Sequence, residues 1–184
     1  MSVLNIRTPL TDEIIKNMKI GDQVLLSGTI FTARDAAHQK ISDLISEDKP
    51  LPFDLKGSVI YYVGPSPAKP GAVIGSAGPT TSYRMDPYAP LLLAKGLKAM
   101  IGKGQRSKEV IQACKDHTAV YFGATGGAAA LLSKSIQQSE VIAFEQLGPE
   151  AIRKLTIKDM PLIVINDCYG RDLYAESQEK WASK

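Results

Sequence analysis

The sequence predicts an α/β domain, a mixed sheet with helices packed against it. Three observations predict it. Seven short stretches rich in Val, Ile or Tyr each run into Gly or a polar turn, the mark of strands. Segments with helical spacing of apolar residues alternate with them. The later strand stretches are continuous apolar runs, as strands covered on both faces require. A chain of 184 residues, 44% hydrophobic and 22% charged, suits one domain with a sizeable core, taken as residues 1–184. No repeat, low-complexity tract or clear linker divides it.

In chain order, the first strand is "QVLLSGTI" (23–30). "DAAHQKISDLISED" follows, with Ala37, Ile41, Leu44 and Ile45 on one helical face. Strands are then predicted at "SVIYYVG" (58–64) and "AVIGSAG" (72–78), joined by the Pro/Gly-rich loop "GPSPAKPGAV". "DPYAPLLLAKG" reads as a helix with Asp86 as N-cap, Pro87 at the first position and Gly96 as its stop. "KAMIGKG" (98–104) is the next strand. "SKEVIQACKD" is a helix capped by Ser107, with Glu109 near its positive end. "TAVYFGA" (118–124), a helix in "GGAAALLSKSIQ", "EVIAFEQ" (140–146) and "PLIVIND" (161–167) complete the set.

Composition excludes several classes. Net charge is +3 with scattered basic residues and 7% aromatics, which is no nucleic-acid footprint. The longest apolar runs, such as Met160 to Ile165, are too short to span a bilayer, and "MSVLNIRTPL" lacks the pattern of a signal peptide. Two cysteines, Cys114 and Cys168, without motif spacing point to a reducing compartment, the cytoplasm. They are too few to hold an iron–sulfur cluster, which takes three or four thiolates.

In α/β sheets, ligand-binding residues collect where strands lead into helices. Four such junctions carry chemistry: "TARD" (32–35), "PTTSYRMD" (79–86), "GKGQRS" (102–107) and "GATGG" (123–127). Each alone has an ordinary reading. Arg34 could be a solvated residue at a helix start, Thr80, Thr81 and Ser82 could be turn residues, and Lys103 an exposed amine in a tight turn. His38 could serve the core or flank of its helix, and Cys114 simple packing. "GATGG" could be close helix–strand packing or an anion cradle, and it lacks phosphate-loop spacing. Together, Arg34, Arg84 and Lys103 would place three cations at strand ends with hydroxyls between them. Arginine binds a carboxylate through two parallel hydrogen bonds, so the set suits a small dicarboxylate. No His/Asp pair and no metal-ligand cluster accompanies it, so the site reads as an anion-binding half without an electrophile.

The blocks "SGTIFTARDAAH", "VGPSPAKPG", "GSAGPTTSYRMD", "MIGKGQRS", "GATGGAAALLSKSI" and "NDCYGRDLY" run in this order across nearly the whole chain. They resemble the C-terminal (β-subunit) domain of the class I, iron–sulfur-dependent fumarate hydratases. The related L-tartrate dehydratase β subunit shares "GPTTS-x-RM" and "GKG". The resemblance implies a single swivelling β/β/α domain, with a separate α subunit carrying a 4Fe–4S cluster in a hetero-oligomer such as α2β2. It implies reversible hydration of fumarate to (S)-malate, with no metal on this chain, and an isolated chain without activity. It puts substrate-binding arginines at Arg34 and Arg84, a substrate-binding and catalytic lysine at Lys103, and the base at Thr80. Thr81, Asp86 and His38 are supporting positions. Two features depart from the family pattern: Tyr83, where small residues are common, and "NDCYGRD". A tartrate dehydratase and a non-catalytic carboxylate-binding or assembly module are the alternative readings.

Overall fold

The computed structural model describes residues 3–124 and 129–182. Seven strands form one mixed sheet: β1 (Val3–Arg7), β2 (Gln23–Thr32), β3 (Val59–Tyr61), β4 (Ala99–Gly102), β5 (Val120–Gly123), β6 (Ile136–Ala143) and β7 (Ile152–Asn166). Strands β1 to β5 are parallel to their neighbours, and β7 runs antiparallel to β2, β5 and β6. Pairing passes from β2 through β3, β4 and β5 to β7 and back to β2, so these strands close a ring. The α-helices are α1 (Asp12–Lys16), α2 (Asp35–Ser46), α3 (Ala89–Ala94), α4 (Lys108–Asp116), α5 (Ala129–Lys134) and α6 (Leu173–Ala182). Among the described residues, no helix is long and apolar enough to cross a membrane.

Strand alternation builds two cores from the same residues. Val59, Tyr61, Ala99, Ile101, Val120 and Phe122 join Leu26, Ile30, Leu155 and Val164 in one cluster within the ring. Their sequence neighbours Ile60, Tyr62, Met100 and Tyr121 point the other way, onto Ala37 and Ile41 of α2, Leu92 of α3 and Val110 and Cys114 of α4. This is why the central strands read as unbroken apolar runs: both of their faces are covered. The result is the expected β/β/α layering, a mixed sheet with helices on it.

Several elements differ from the sequence reading. Residues 72–78 are not a strand. They fold back on the proline loop, where Ser66 N–H donates to the Ser76 carbonyl at 3.1 Å and Ser76 N–H to Ser66 Oγ at 2.8 Å, and no strand pairs with them. The last two predicted strands are shifted and lengthened toward their polar ends. β6 begins at Ile136 and gives way to a 3-10 turn at Glu145–Glu150, while β7 begins at Ile152. Those polar halves pair with each other and face water on one side, so they carry no apolar run. β1 and α6 have no buried residue at all, and docking alone orders them. The "GATGG" junction begins at the end of β5, but Thr125 to Gly127 lie outside the described residues.

The helix expected from Asp86 starts later. Ser82–Met85 is a 3-10 turn, and α3 begins at Ala89 after Tyr88, with Pro90 rather than Pro87 in its first turn. Asp86 spends its carboxylate elsewhere, accepting from Arg106 Nε at 2.6 Å and from Ser107 N–H at 2.7 Å. The Arg106 side chain is fully buried, and a buried guanidinium demands a counter-ion more strongly than a helix end demands a cap. Ser107 does cap α4, as expected, accepting from Val110 N–H at 3.3 Å.

Candidate functional site

The parallel strands deliver their loops to one edge. Arg34 follows the end of β2 and precedes the first turn of α2. Lys103 follows β4. The segment Thr80–Ser82 lies between them, laid like an extra strand along the end of β4: Thr80 N–H donates to the Tyr62 carbonyl at 2.7 Å, Lys103 N–H reaches the Thr80 carbonyl at 3.3 Å, and Ser82 N–H reaches the Lys103 carbonyl at 2.9 Å. Thr81 and Lys103 are paired as an isolated parallel bridge. So the backbone brings Thr80, Thr81 and Lys103 together across more than twenty residues of chain.

Close approach dictates the glycine before Lys103. A Cβ on Gly102 would lie 1.9 Å from Ser82 Oγ, which is no possible contact. Ser82 is fully buried and its hydroxyl is bonded twice, to Tyr121 OH at 2.9 Å and accepting from Lys103 N–H at 3.1 Å. Tyr121 OH also donates to the Gly104 carbonyl at 3.0 Å. Behind this lies Arg106, its Cζ 5.3 Å from the Tyr62 ring centre and 4.9 Å from that of Tyr121, with Asp86 as partner. The "TSYRMD" and "GKGQR" loops thus share one polar scaffold, and Asp86 supports the site from behind rather than facing it.

The arginines meet through acidic side chains. Arg84 grips Asp35 with two parallel bonds, Nε to Oδ1 at 2.9 Å and Nη2 to Oδ2. Arg34 Nη2 stands 3.9 Å from the same Oδ2 and 3.3 Å from Glu150 Oε1. Glu150 also accepts from Ala36 N–H at 2.9 Å, tying the turn before β7 to the start of α2. Gly64 lets Arg34 lie flat: a Cβ there would be 2.6 Å from its Nη1. Asp35 raises the pKa of Arg84 above its ordinary value, chiefly through the hydrogen bond. Of the three cations expected at strand ends, two are paired to carboxylates, and among the described residues no acid pairs with Lys103, which is exposed. The hydroxyl of Thr80 has no hydrogen-bond partner among the described residues either.

His38 stands apart from this edge. It is fully buried on α2, edge-on to Tyr62 with ring centres 5.3 Å apart and near Tyr88 at 5.9 Å. Its Nδ1 lies 2.9 Å from the Arg34 carbonyl, so Nδ1 carries the proton, and Nε2 is left without a partner. Burial lowers its pKa to about 4, opposed by that hydrogen bond. Its role is to hold the Arg34 backbone as a neutral ring. The unfolded chain binds a proton near the ordinary pKa of 6.5, and the folded one only near 4. Stability is therefore fully present above about 6.5 and falls as pH drops through that window, by about 2 kcal/mol between pH 7 and 5. Urea unfolding at both pH values checks this: the drop should shrink by about that amount in His38→Gln.

Both cysteines are buried, and burial pushes the Cys114 thiol up to about 12, while the Cys168 thiol is also raised by burial. They sit in different cores, and the described residues hold no group of three His, Cys, Asp or Glu placed for a metal ion. A cleft of 320 Å³ between Pro65–Ala68, Val73–Gly75, Gly148, Pro149 and Arg153 takes in none of Arg34, Thr80, Arg84 and Lys103. The last three lie on an open edge, beside the exposed ring of Tyr83. In the "NDCYGRD" segment, Asp167 is buried and accepts from Arg171 Nε at 2.8 Å and Ile20 N–H at 3.3 Å, a structural turn far along the chain.

Asp35, Glu150 and Arg106 were not singled out from sequence. Asp35 sits within the quoted "TARD", but its partner Arg84 is 49 residues away, and no local spacing signals that pair.

Comparison with known proteins agrees with the blocks noted above. The family model described as "Fumarase C-terminus" matches residues 1–177. The chain is 43% identical over 160 residues to fumarate hydratase 2 of Leishmania major, covering 86% of this chain and 28% of that one. It is 40% identical over 163 residues to the anaerobic class I fumarate hydratase of Escherichia coli, covering 88% and 30%. A chain of Methanocaldococcus jannaschii named as an L(+)-tartrate dehydratase subunit beta is 41% identical over 177 residues, covering 93% and 91%. The chain thus spans under a third of those fumarate hydratases and nearly all of the β subunit.

Proposed function

The chain belongs to the fumarase C-terminus family, and on that premise we propose that it is the β subunit of a two-subunit class I fumarate hydratase. Its reaction is the reversible hydration of fumarate to (S)-malate. The observation that carries this reading is the open loop edge, where Arg84 and Lys103 stand exposed, Lys103 just past the end of β4, and where backbone hydrogen bonds tie Lys103 to Thr80, whose hydroxyl has no partner among the described residues. An edge this open offers one wall for a small dicarboxylate. The second wall would come from an α subunit, which would also carry the 4Fe–4S cluster, since this chain has two cysteines and a cluster takes three or four thiolates. The Methanocaldococcus relative, 91% of which the chain covers, is named as a β subunit, and that name supports a partner subunit.

On this chain, Arg34, Arg84 and Lys103 bind and orient the carboxylates, and they stabilise the negative charge that builds beside the reacting carbon. Thr80 takes the proton from that carbon. The same residues fit an L-tartrate dehydratase β subunit, which the Methanocaldococcus relative favours. The test is anoxic co-expression with the cluster-bearing partner and a panel of fumarate, (S)-malate and L-tartrate. Turnover of (S)-malate by the pair, with an inactive and colourless isolated chain, is the expected result. Turnover of L-tartrate alone would select the second reading, and brown, active isolated chain would sink the split site.

A further inference from the structure

A guanidinium has five N–H donors in a fixed plane. Arg84 uses two of them on Asp35, those of its side-on edge, Nε and Nη2. The end-on edge, Nη1 with the second hydrogen of Nη2, has no acid partner among the described residues. We propose that Asp35 is a positioning residue for carboxylate recognition: it grips the side-on edge of Arg84 and thereby aims the end-on fork at the substrate. This rests on the reading of Arg84 as a substrate-binding arginine.

Three features make Asp35 suited to that task. It stands in the first turn of α2, a twelve-residue helix whose positive end favours a carboxylate. Arg34 lies 3.9 Å away, and Glu150 holds both Arg34 and the adjacent Ala36 N–H, so the carboxylate is set in a braced turn. Arg84, by contrast, has a side chain 40% exposed on a short 3-10 turn. A long side chain at such a site wanders among rotamers unless something fixes it, and ordering it costs entropy at each binding event. An exposed ion pair adds little to stability, so the consequence of this contact falls on geometry.

Charge and geometry make opposite predictions here, which gives the test its force. If Asp35 mattered only as a negative charge near the site, removing it would tighten binding of a dianion. If it aims Arg84, removing it weakens binding. Asp35→Asn keeps the size but turns one acceptor into a donor and breaks the fork. In the assembled two-subunit enzyme, with (S)-malate and L-tartrate as probes, KM should rise about 10-fold with kcat changed far less. Asp35→Glu should restore part of the loss. With Arg84→Lys already present, Asp35→Asn should add almost nothing.

A KM that falls or stays unchanged in Asp35→Asn overturns the proposal. So does an effect that persists in full beside Arg84→Lys, or an Asp35→Asn chain that fails to fold, which would make the residue structural. If Arg84→Lys itself leaves KM unchanged, the reading of Arg84 falls and Asp35 with it. If Arg84→Lys raises KM and Asp35→Asn does not, only the role of Asp35 is lost.

Discussion

Thr80→Ala in the assembled enzyme is expected to lower kcat by about 10²- to 10⁴-fold while KM changes little, the range a general base contributes. The argument is local. A threonine hydroxyl is a poor base, because its anion forms only at very high pH, so nearby cations must favour the charged form. Lys103 is the stronger candidate. Its backbone is hydrogen-bonded to Thr80, and its amine faces no acid among the described residues. Arg84 is the weaker candidate, because its charge is already offset by Asp35. Lys103→Met should therefore reduce kcat as well as weaken binding, whereas Arg34→Lys should act chiefly on KM through loss of the bidentate geometry. Steady-state kinetics on the reconstituted pair measures all three. Near-native turnover in Thr80→Ala would remove it as the base.

Arg106→Leu should destabilise the chain by about 3–5 kcal/mol, the cost of stranding one member of a buried ion pair. Asp86, only 12% exposed at its side chain, would keep the Ser107 N–H but lose its counter-ion. Tyr62 and Tyr121 would lose the cation between their rings, and with it the brace on Ser82 and Lys103. Pairing the change with Asp86→Leu should recover much of the stability, since two apolar groups leave no unpaired charge. Denaturant unfolding of the single and double variants would show this. If Arg106→Leu costs under 1 kcal/mol, the scaffold does not depend on it.

Much of the candidate site was legible before any fold was known. Arg34, Arg84, Lys103 and Thr80 were candidates from their junction sequences alone, and the fold ties Thr80 to Lys103 by backbone bonds and brings Arg34 and Arg84 to Asp35. Legibility ended where contacts are non-local. Asp86 reads as a cap because it precedes a proline and an apolar run. Only the folded chain brings Arg106, twenty residues later, onto its carboxylate. The Pro/Gly-flanked run 72–78 has strand-like composition but no partner strand, and strand composition without a partner makes a loop. His38 was open between flank, core and site, and burial at the crossing of Tyr62 and Tyr88 placed it in the core.

By itself the sequence determined the α/β class, the central strands, the amphipathic faces of α2 and α4, the Ser107 cap and the family. Each depends on residue periodicity, local hydrogen bonding or ordered motifs, all of which are written along the chain. Only the tertiary structure decided the closure of the sheet through β7, the polar halves of β6 and β7, and the pairing of Arg34 and Arg84 with Asp35 and Glu150. The physical reason is the same in each case. Strand partners and counter-ions are chosen by what lies close in space: the Arg84–Asp35 pair, the Glu150 contacts and the β2–β7 ladder join residues 49 to 140 apart, the β6–β7 pairing residues 9 to 21 apart, and residue spacing carries no record of that choice.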